Sequence, residues 1–372
     1  MNITSPAAQP PQKKWTLLLY SAADNDLKRF MLKDVNEIES VGSDSYTNLV
    51  AQVDTGAQCN RYLLQQDPNM SKITSPVVES LGKTNMSDPQ TLSDFIQWGM
   101  KNYPAEHYMV IVSDHGNGWQ GAVQDFSHDG WMTLPQIREG FEKAQAATGR
   151  KVDVIGFDAC LMASSEVAHE LKDQANYLVA SEETEGGDGW RYTSFLNPSL
   201  LRNVHQMHLM KIDVEPDQLA IRAVRDAESN QSDLPTMAAF DMSKVPGVTA
   251  AVDGLAKAII GNPSAGEIAK LARQAQPYYD YRDAGDFARL IQQSSISDDK
   301  LKEAAKGLTD AIGQAVIAEQ HSSQYPGSTG ITLEMSPYGV PAGYDATKLA
   351  QDTAWPQAIK TMADAGKGAP KA

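Results

Sequence analysis

The sequence offers almost nothing with which to cross-link itself. Two cysteines, Cys59 and Cys160, stand in 372 residues, too few for a disulfide framework. If Cys160 has to stay free for chemistry, no structural disulfide remains. Basic residues are also short: 32 Lys and Arg against 47 Asp and Glu leave a net charge of −15. That balance excludes a nucleic-acid partner, whose phosphates need a basic surface, and suits a basic substrate. No apolar run approaches the ~18 residues of a membrane span. The opening "MNITSPAAQPPQKK" lacks the apolar centre of a signal peptide and reads as a short flexible arm over residues 1–13. The expectation is a cytoplasmic protein, or a secreted one if a targeting segment has been removed. No GxSxG, Walker or dinucleotide glycine fingerprint occurs. No linker rich in Pro, Gly or Ser forces a domain boundary.

Counted with glycine and without tyrosine, the apolar share is about 45%, within the ordinary globular range. Strands are expected at Trp15–Ala23, Thr47–Asp54, Arg61–Gln66 and Tyr177–Glu183, and in the runs "VIVSDHGNGW" and "VDVIGFDACLMA". Helical periodicity falls between them, with Asp24 or Asn25 as a first N-cap and Gly42 as its stop. This alternation predicts an α/β fold with a largely parallel sheet covered by helices on both faces. Residues 14–200 form the core of that reading. Residues 201–365 are richer in helix, including 300–319, and supply strands at Thr236–Ser243 and Gly330–Ser336 that extend the same sheet. A flexible tail covers 366–372.

The two apolar runs carry the chemistry. One ends on Asp114-His115-Gly116 and the other on Asp158-Ala159-Cys160, and ligands of open parallel sheets bind at the C-terminal strand ends. A cysteine just ahead of a helix gains from the helix N-terminus, which favours the thiolate; Cys160 precedes "LMASSEVAHEL" and reads that way. His115 can move a proton near neutral pH. Gly116 lets the backbone approach a substrate, with its N–H available to an oxyanion. A lone strand-end histidine or a lone buried cysteine is usually structural; the matched pair is not easily read so.

"DHGNGW" and "GFDACLMAS" resemble the histidine and cysteine motifs of the clostripain family of cysteine peptidases, within the caspase-like group. The spacing of His115 and Cys160 is also close to the ~50 residues of caspases, although Asp-Ala-Cys-Leu-Met replaces the caspase Gln-Ala-Cys-x-Gly. "YSAADNDL" and "ASEETEGGDGWRY" add to the likeness over residues 14–192, and "DAGDFARLI" and "STGITLEMSPYG" extend it more weakly to Tyr338. The resemblance implies a caspase-like three-layer sandwich and an endopeptidase cleaving after Arg or Lys. It makes Cys160 the nucleophile, His115 the general acid/base and Asp158 the acid at the floor of the specificity pocket, with Asp188 as a second wall. A carboxylate that accepts two hydrogen bonds from a guanidinium favours Arg over Lys. A silent or partner-activated module on the same fold remains the alternative.

Family members are commonly matured by self-cleavage between histidine and cysteine, yet residues 117–133 contain no Lys or Arg. Arg138, Lys143, Arg150 and Lys151 are the nearest. Self-processing stays open, as does oligomeric state. No cofactor is required by this chemistry. Some members depend on calcium, and Glu182, Glu183, Glu185 and Asp188 are dense enough in oxygen to hold such a cation, against the plainer reading of a solvated acidic loop. Cys59, His107, His128, His169 and the pair His205 and His208 are assigned no role.

Overall fold

Every residue of Thr47–Asp54 and of Val152–Asp158 is buried, which a strand achieves only when helices cover both faces of its sheet. A computed structural model describes residues 11–196, 214–226 and 234–366. Its elements begin with β1 (Lys13–Ala22), α1 (Lys28–Val41), β2 (Thr47–Asp54), β3 (Cys59–Leu63), β4 (Val77–Gly82), α2 (Pro89–Asn102) and β5 (Ala105–Ser113). A hairpin of β6 (Ala122–Asp125) and β7 (Gly130–Met132) follows, then α3 (Leu134–Thr148), β8 (Val152–Asp158), α4 (Ser165–Leu171), β9 (Ala175–Ala180) and α5 (Tyr192–Phe195). The remaining strands are β10 (Thr236–Asp241), β11 (Pro277–Tyr278), β12 (Tyr281–Asp283), β13 (Val316–His321) and β14 (Thr332–Glu334).

Nine strands form one sheet in the order β13-β10-β9-β8-β5-β1-β2-β3-β4. The five central strands, from β9 to β2, run parallel, and the pairs at both edges are antiparallel. Alternation along β1 divides its side chains: Leu18 and Tyr20 join the core beneath α2 and α3, while Leu17 and Leu19 join the core beneath α1. This is the three-layer α/β arrangement expected from the sequence.

Several boundaries differ from expectation. Helix α1 starts at Lys28 with Leu27 as its N-cap and no capping side chain; Asp24 and Asn25 are held by tertiary contacts instead. The helix expected over 300–319 stops at Ala315, and the β-branched Val316-Ile317 open β13. Thr236–Asp241 does extend the main sheet, but Thr332–Glu334 pairs with β12 in a separate three-stranded sheet. His205 and His208 lie outside the described residues.

That small sheet clasps the region after β5 and β8. Thr332 N–H donates to Ala163 O at 2.9 Å. The Trp119 indole N–H donates to Glu334 Oε2 at 2.9 Å, and that of Trp355 donates to Glu334 O at 2.8 Å. Tyr281 Oη donates to Asn117 O at 2.9 Å.

Candidate active site

Strands β5 and β8 are neighbours in register, with Ser113 opposite Asp158. The ladder runs one step further, where Asp114 N–H donates to Asp158 O at 3.2 Å. His115 and Cys160 therefore leave the sheet at the same level, each two residues past a paired position, on strands about 4.8 Å apart. Gly116 brings the two loops into contact. A Cβ built on it would lie 2.4 Å from Cys160 O and 3.0 Å from Cys160 N, so no larger residue fits without moving one loop. The hairpin ladder uses the backbone groups on either side: His115 O accepts from Val123 N–H at 3.0 Å, and Asn117 N–H donates to Gly121 O at 2.9 Å.

The two loops share a cavity of about 190 Å³ with the start of α1 and with residues 185–189. His115 is part-exposed at its mouth, and its Nε2 lies 2.9 Å from Asp26 Oδ1. Asn25 ties the end of β1 to the histidine strand: its Nδ2 donates to Asp114 Oδ1 at 2.6 Å and to Ala22 O at 3.1 Å. Asp114 is buried and also accepts from His115 N–H at 2.7 Å and Gln124 N–H at 2.6 Å. Its carboxyl is pushed well above the usual range, mainly by burial.

Cys160 Sγ accepts from Glu185 N–H at 3.3 Å. The expected help from a helix N-terminus is not present. Leu161 turns in the left-handed region at φ 68°, and α4 begins only at Ser165, capped by Ser164. Burial pushes the thiol up, and the charges of Asp158 and Glu183 add to that, against the lowering influence of the Glu185 amide.

The cavity's interior is acidic. Asp158 is buried and accepts from Tyr192 Oη at 2.7 Å. Asp34, on α1, and Glu185 line the same space. Asp34 Oδ1 and both carboxylate oxygens of Glu185 are shielded from solvent without a hydrogen-bond partner. Burial raises all three carboxyls; the charge of Asp158 pushes Asp34 and Glu185 higher still. Three buried acids facing one small space cannot all ionise without a cation among them. Gly189, at φ 53°, lets the following loop close on this cluster, since a Cβ there would lie 2.9 Å from Asp158 Oδ1.

His115, Cys160 and Asp158 line this pocket, with Gly116 beside the cysteine loop, while Asp34 and Glu185 join it without having been expected as part of the pocket. A signal for Asp34 existed: Met31, Asp34, Val35 and Ile38 share one buried stripe of α1. Asp188, expected as a second wall, points elsewhere; it is exposed and pairs with Lys33 Nζ at 2.6 Å. The four residues suggested for calcium also separate. Glu182 is buried against Ser328 and Gly330 N–H, Glu183 accepts from Thr184 N–H, Glu185 faces Asp158 and Asp188 faces Lys33. Among the described residues the group of acids whose oxygens lie close enough to share one metal ion is Asp24, Asp54 and Asp125, outside that loop and already accepting backbone N–H groups of Ser127, Gly56 and Met86. The proposed calcium set does not fit. A wider hollow of about 800 Å³ at the opposite sheet end is lined by His107, Lys151 and Asp153, and neither cysteine lines it.

Residues 19–333 match the model of the clostripain family, peptidase group C11. The chain belongs to the clostripain family. Clostripain from Hathewaya histolytica is 23% identical over 387 residues, covering 85% of this chain and 73% of that protein. A secreted C11 cysteine protease from Bacteroides thetaiotaomicron, solved with an irreversible peptide inhibitor, is 19% identical and superposes with a TM-score of 0.67 over 93% of this chain and 99% of its own. An inactive zymogen C11 protease from Parabacteroides distasonis is 18% identical with a TM-score of 0.66, covering 95% and 99%. The clostripain-family chain described here is a cysteine endopeptidase acting on peptide substrates, and no helix among its described residues is long and apolar enough to cross a membrane.

Proposed function

We propose that this clostripain-family chain cleaves the peptide bond after Arg, and less readily after Lys, with Cys160 as nucleophile and His115 as general acid and base. The observation that carries the specificity is the group of Asp34, Asp158 and Glu185 beside the thiol, with three carboxylate oxygens left unpartnered. A guanidinium offers five N–H donors in a planar fork, enough to serve several carboxyls at once; an ammonium offers three.

Because the thiol is held up rather than down, it needs a base at the moment of attack. His115 takes the Sγ proton as sulfur bonds to the carbonyl carbon, and the oxygen becomes an oxyanion beside the Gly116 N–H. Collapse breaks the C–N bond, and His115 returns its proton to the departing amine. Water then attacks the thioester with His115 again as base, and the acid product leaves with the thiol restored. The substrate's own cation assists, since it neutralises Asp158, one of the charges that raises the thiol.

An arginyl amide reporter tests the reading: the protein should hydrolyse it under reducing conditions, Cys160→Ala should abolish turnover, and an isosteric citrulline reporter should be a poor substrate. Equal turnover of the arginine and citrulline reporters would overturn the specificity.

A further inference from the structure

We infer that the hollow beyond the histidine loop is a subsite for the departing half of the substrate, taking a large apolar side chain two or three residues after the scissile bond. The inference rests on the Cys160–His115 reading above. A general acid must lie next to the amine it protonates, so the chain downstream of the cut leaves over His115. The protein continues from His115 directly into a second hollow of about 300 Å³, walled by Asn117, Trp119 and Gln120 on one side and by Tyr279, Tyr281 and Tyr338 on the other. Asn117 is two residues past His115, at most about 7 Å along the chain, a gap that two extended substrate residues span.

The walls are built rather than incidental. Tyr281 Oη donates to Asn117 O, and Trp119 is pinned to Glu334, so both sides keep their shape without ligand. The rim is the reverse of a satisfied surface. Tyr338 is 89% exposed and Tyr279 is 74% exposed, and Tyr279 turns at φ 54° in the two-residue link between β11 and β12. Aromatic rings with few rotatable bonds suit peptide binding at low entropic cost, and the volume lies at the lower end of ordinary ligand sites. Asp280 on the same wall disfavours an acidic residue.

The test uses the whole protein with arginyl peptides that share one sequence before the cut and vary at the second and third positions after it. An arginyl amide reporter, which has nothing after the cut beyond its dye, serves as the internal control. Phe or Leu at the preferred position should exceed Gly in kcat/KM by about tenfold, with Asp poorest. Tyr338→Ala, and separately Tyr279→Ser, should erase that preference while reporter turnover is unchanged. Two results would overturn the inference: no preference after the cut, or a preference that survives both substitutions. A third would be a Tyr338→Ala loss of equal size on every peptide and on the reporter, which would assign the hollow to the half of the substrate before the cut. Failure of the reporter itself would instead sink the reading on which this one rests.

Discussion

Gly116→Ala perturbs the site at the point where the histidine and cysteine loops touch. The new Cβ would sit 2.4 Å from Cys160 O, where ordinary contact begins at 3.4 Å. The loops must therefore part by about 1 Å, and a misplacement of that size costs on the order of 100-fold in rate. Fold stability should suffer less, because β5 and β8 remain paired below the site. The assay is kcat/KM on an arginyl amide, with the thermal midpoint measured on the same preparation. Gly247→Ala is the control: it lies in the helix Val245–Ile259, nothing stands near its Cβ position, and it should leave turnover unchanged while favouring the helix. A folded Gly116→Ala protein within about threefold of wild type would show that this contact does not set the spacing of His115 and Cys160.

Asp158→Asn should lower kcat/KM on arginyl substrates by about 30-fold or more, since losing one buried partner of a charge costs about 2 kcal/mol or more. Its thermal midpoint should hold or rise as crowding among three acids is relieved, and retained Arg selectivity would reject Asp158 as its source. Glu334→Gln should flatten the pH dependence of stability. Burial lifts the Glu334 carboxyl from 4.5 to about 7, so its stabilising contribution is complete below about pH 4.5 and disappears as pH rises through 7, a change on the order of 3 kcal/mol. Denaturant midpoints between pH 4 and 8 measure it, and an unchanged slope in the variant would contradict the assignment. Finally, the purified active enzyme should run as one uncut chain. Residues 117–133 offer no basic site, Arg138 is ion-paired to Glu142 and to Glu170 of α4, and Lys143 is ion-paired to Glu139. Intact mass with turnover measured on the same sample checks this, and activity appearing only after a cut would refute it.

The parallel sheet was legible because buried strands read as unbroken apolar runs, and the positions of His115 and Cys160 followed from where those runs end. The electrostatics were less legible. The stripe of α1 marks Asp34 as inward-facing, alongside the polar Asn36 and Glu39, but not what it meets: the approach of Glu185 across α1 is a contact between distant segments that local periodicity does not encode. Glu185 stands in an acidic run that reads equally as solvated, until the positive φ of Gly189 turns the loop onto Asp158. Asp188, three residues later, projects to Lys33. The sequence past Cys160 continues in helix-forming residues, but the turn at Leu161 and the non-helical residues up to Ser164 separate the thiol from α4.

The clasp of β14 and Trp355 on the histidine loop bears on when this hydrolase can first act. During translation, Cys160 and His115 leave the ribosome long before Glu334 and Trp355, whose contacts with Trp119 and with each other fix the loop. On the proposed mechanism, a chain made only as far as Cys160 holds both reactive groups but not the brace that fixes the histidine loop. Hydrolysis on that mechanism waits until β14 and Trp355 have been made and have folded onto the histidine loop.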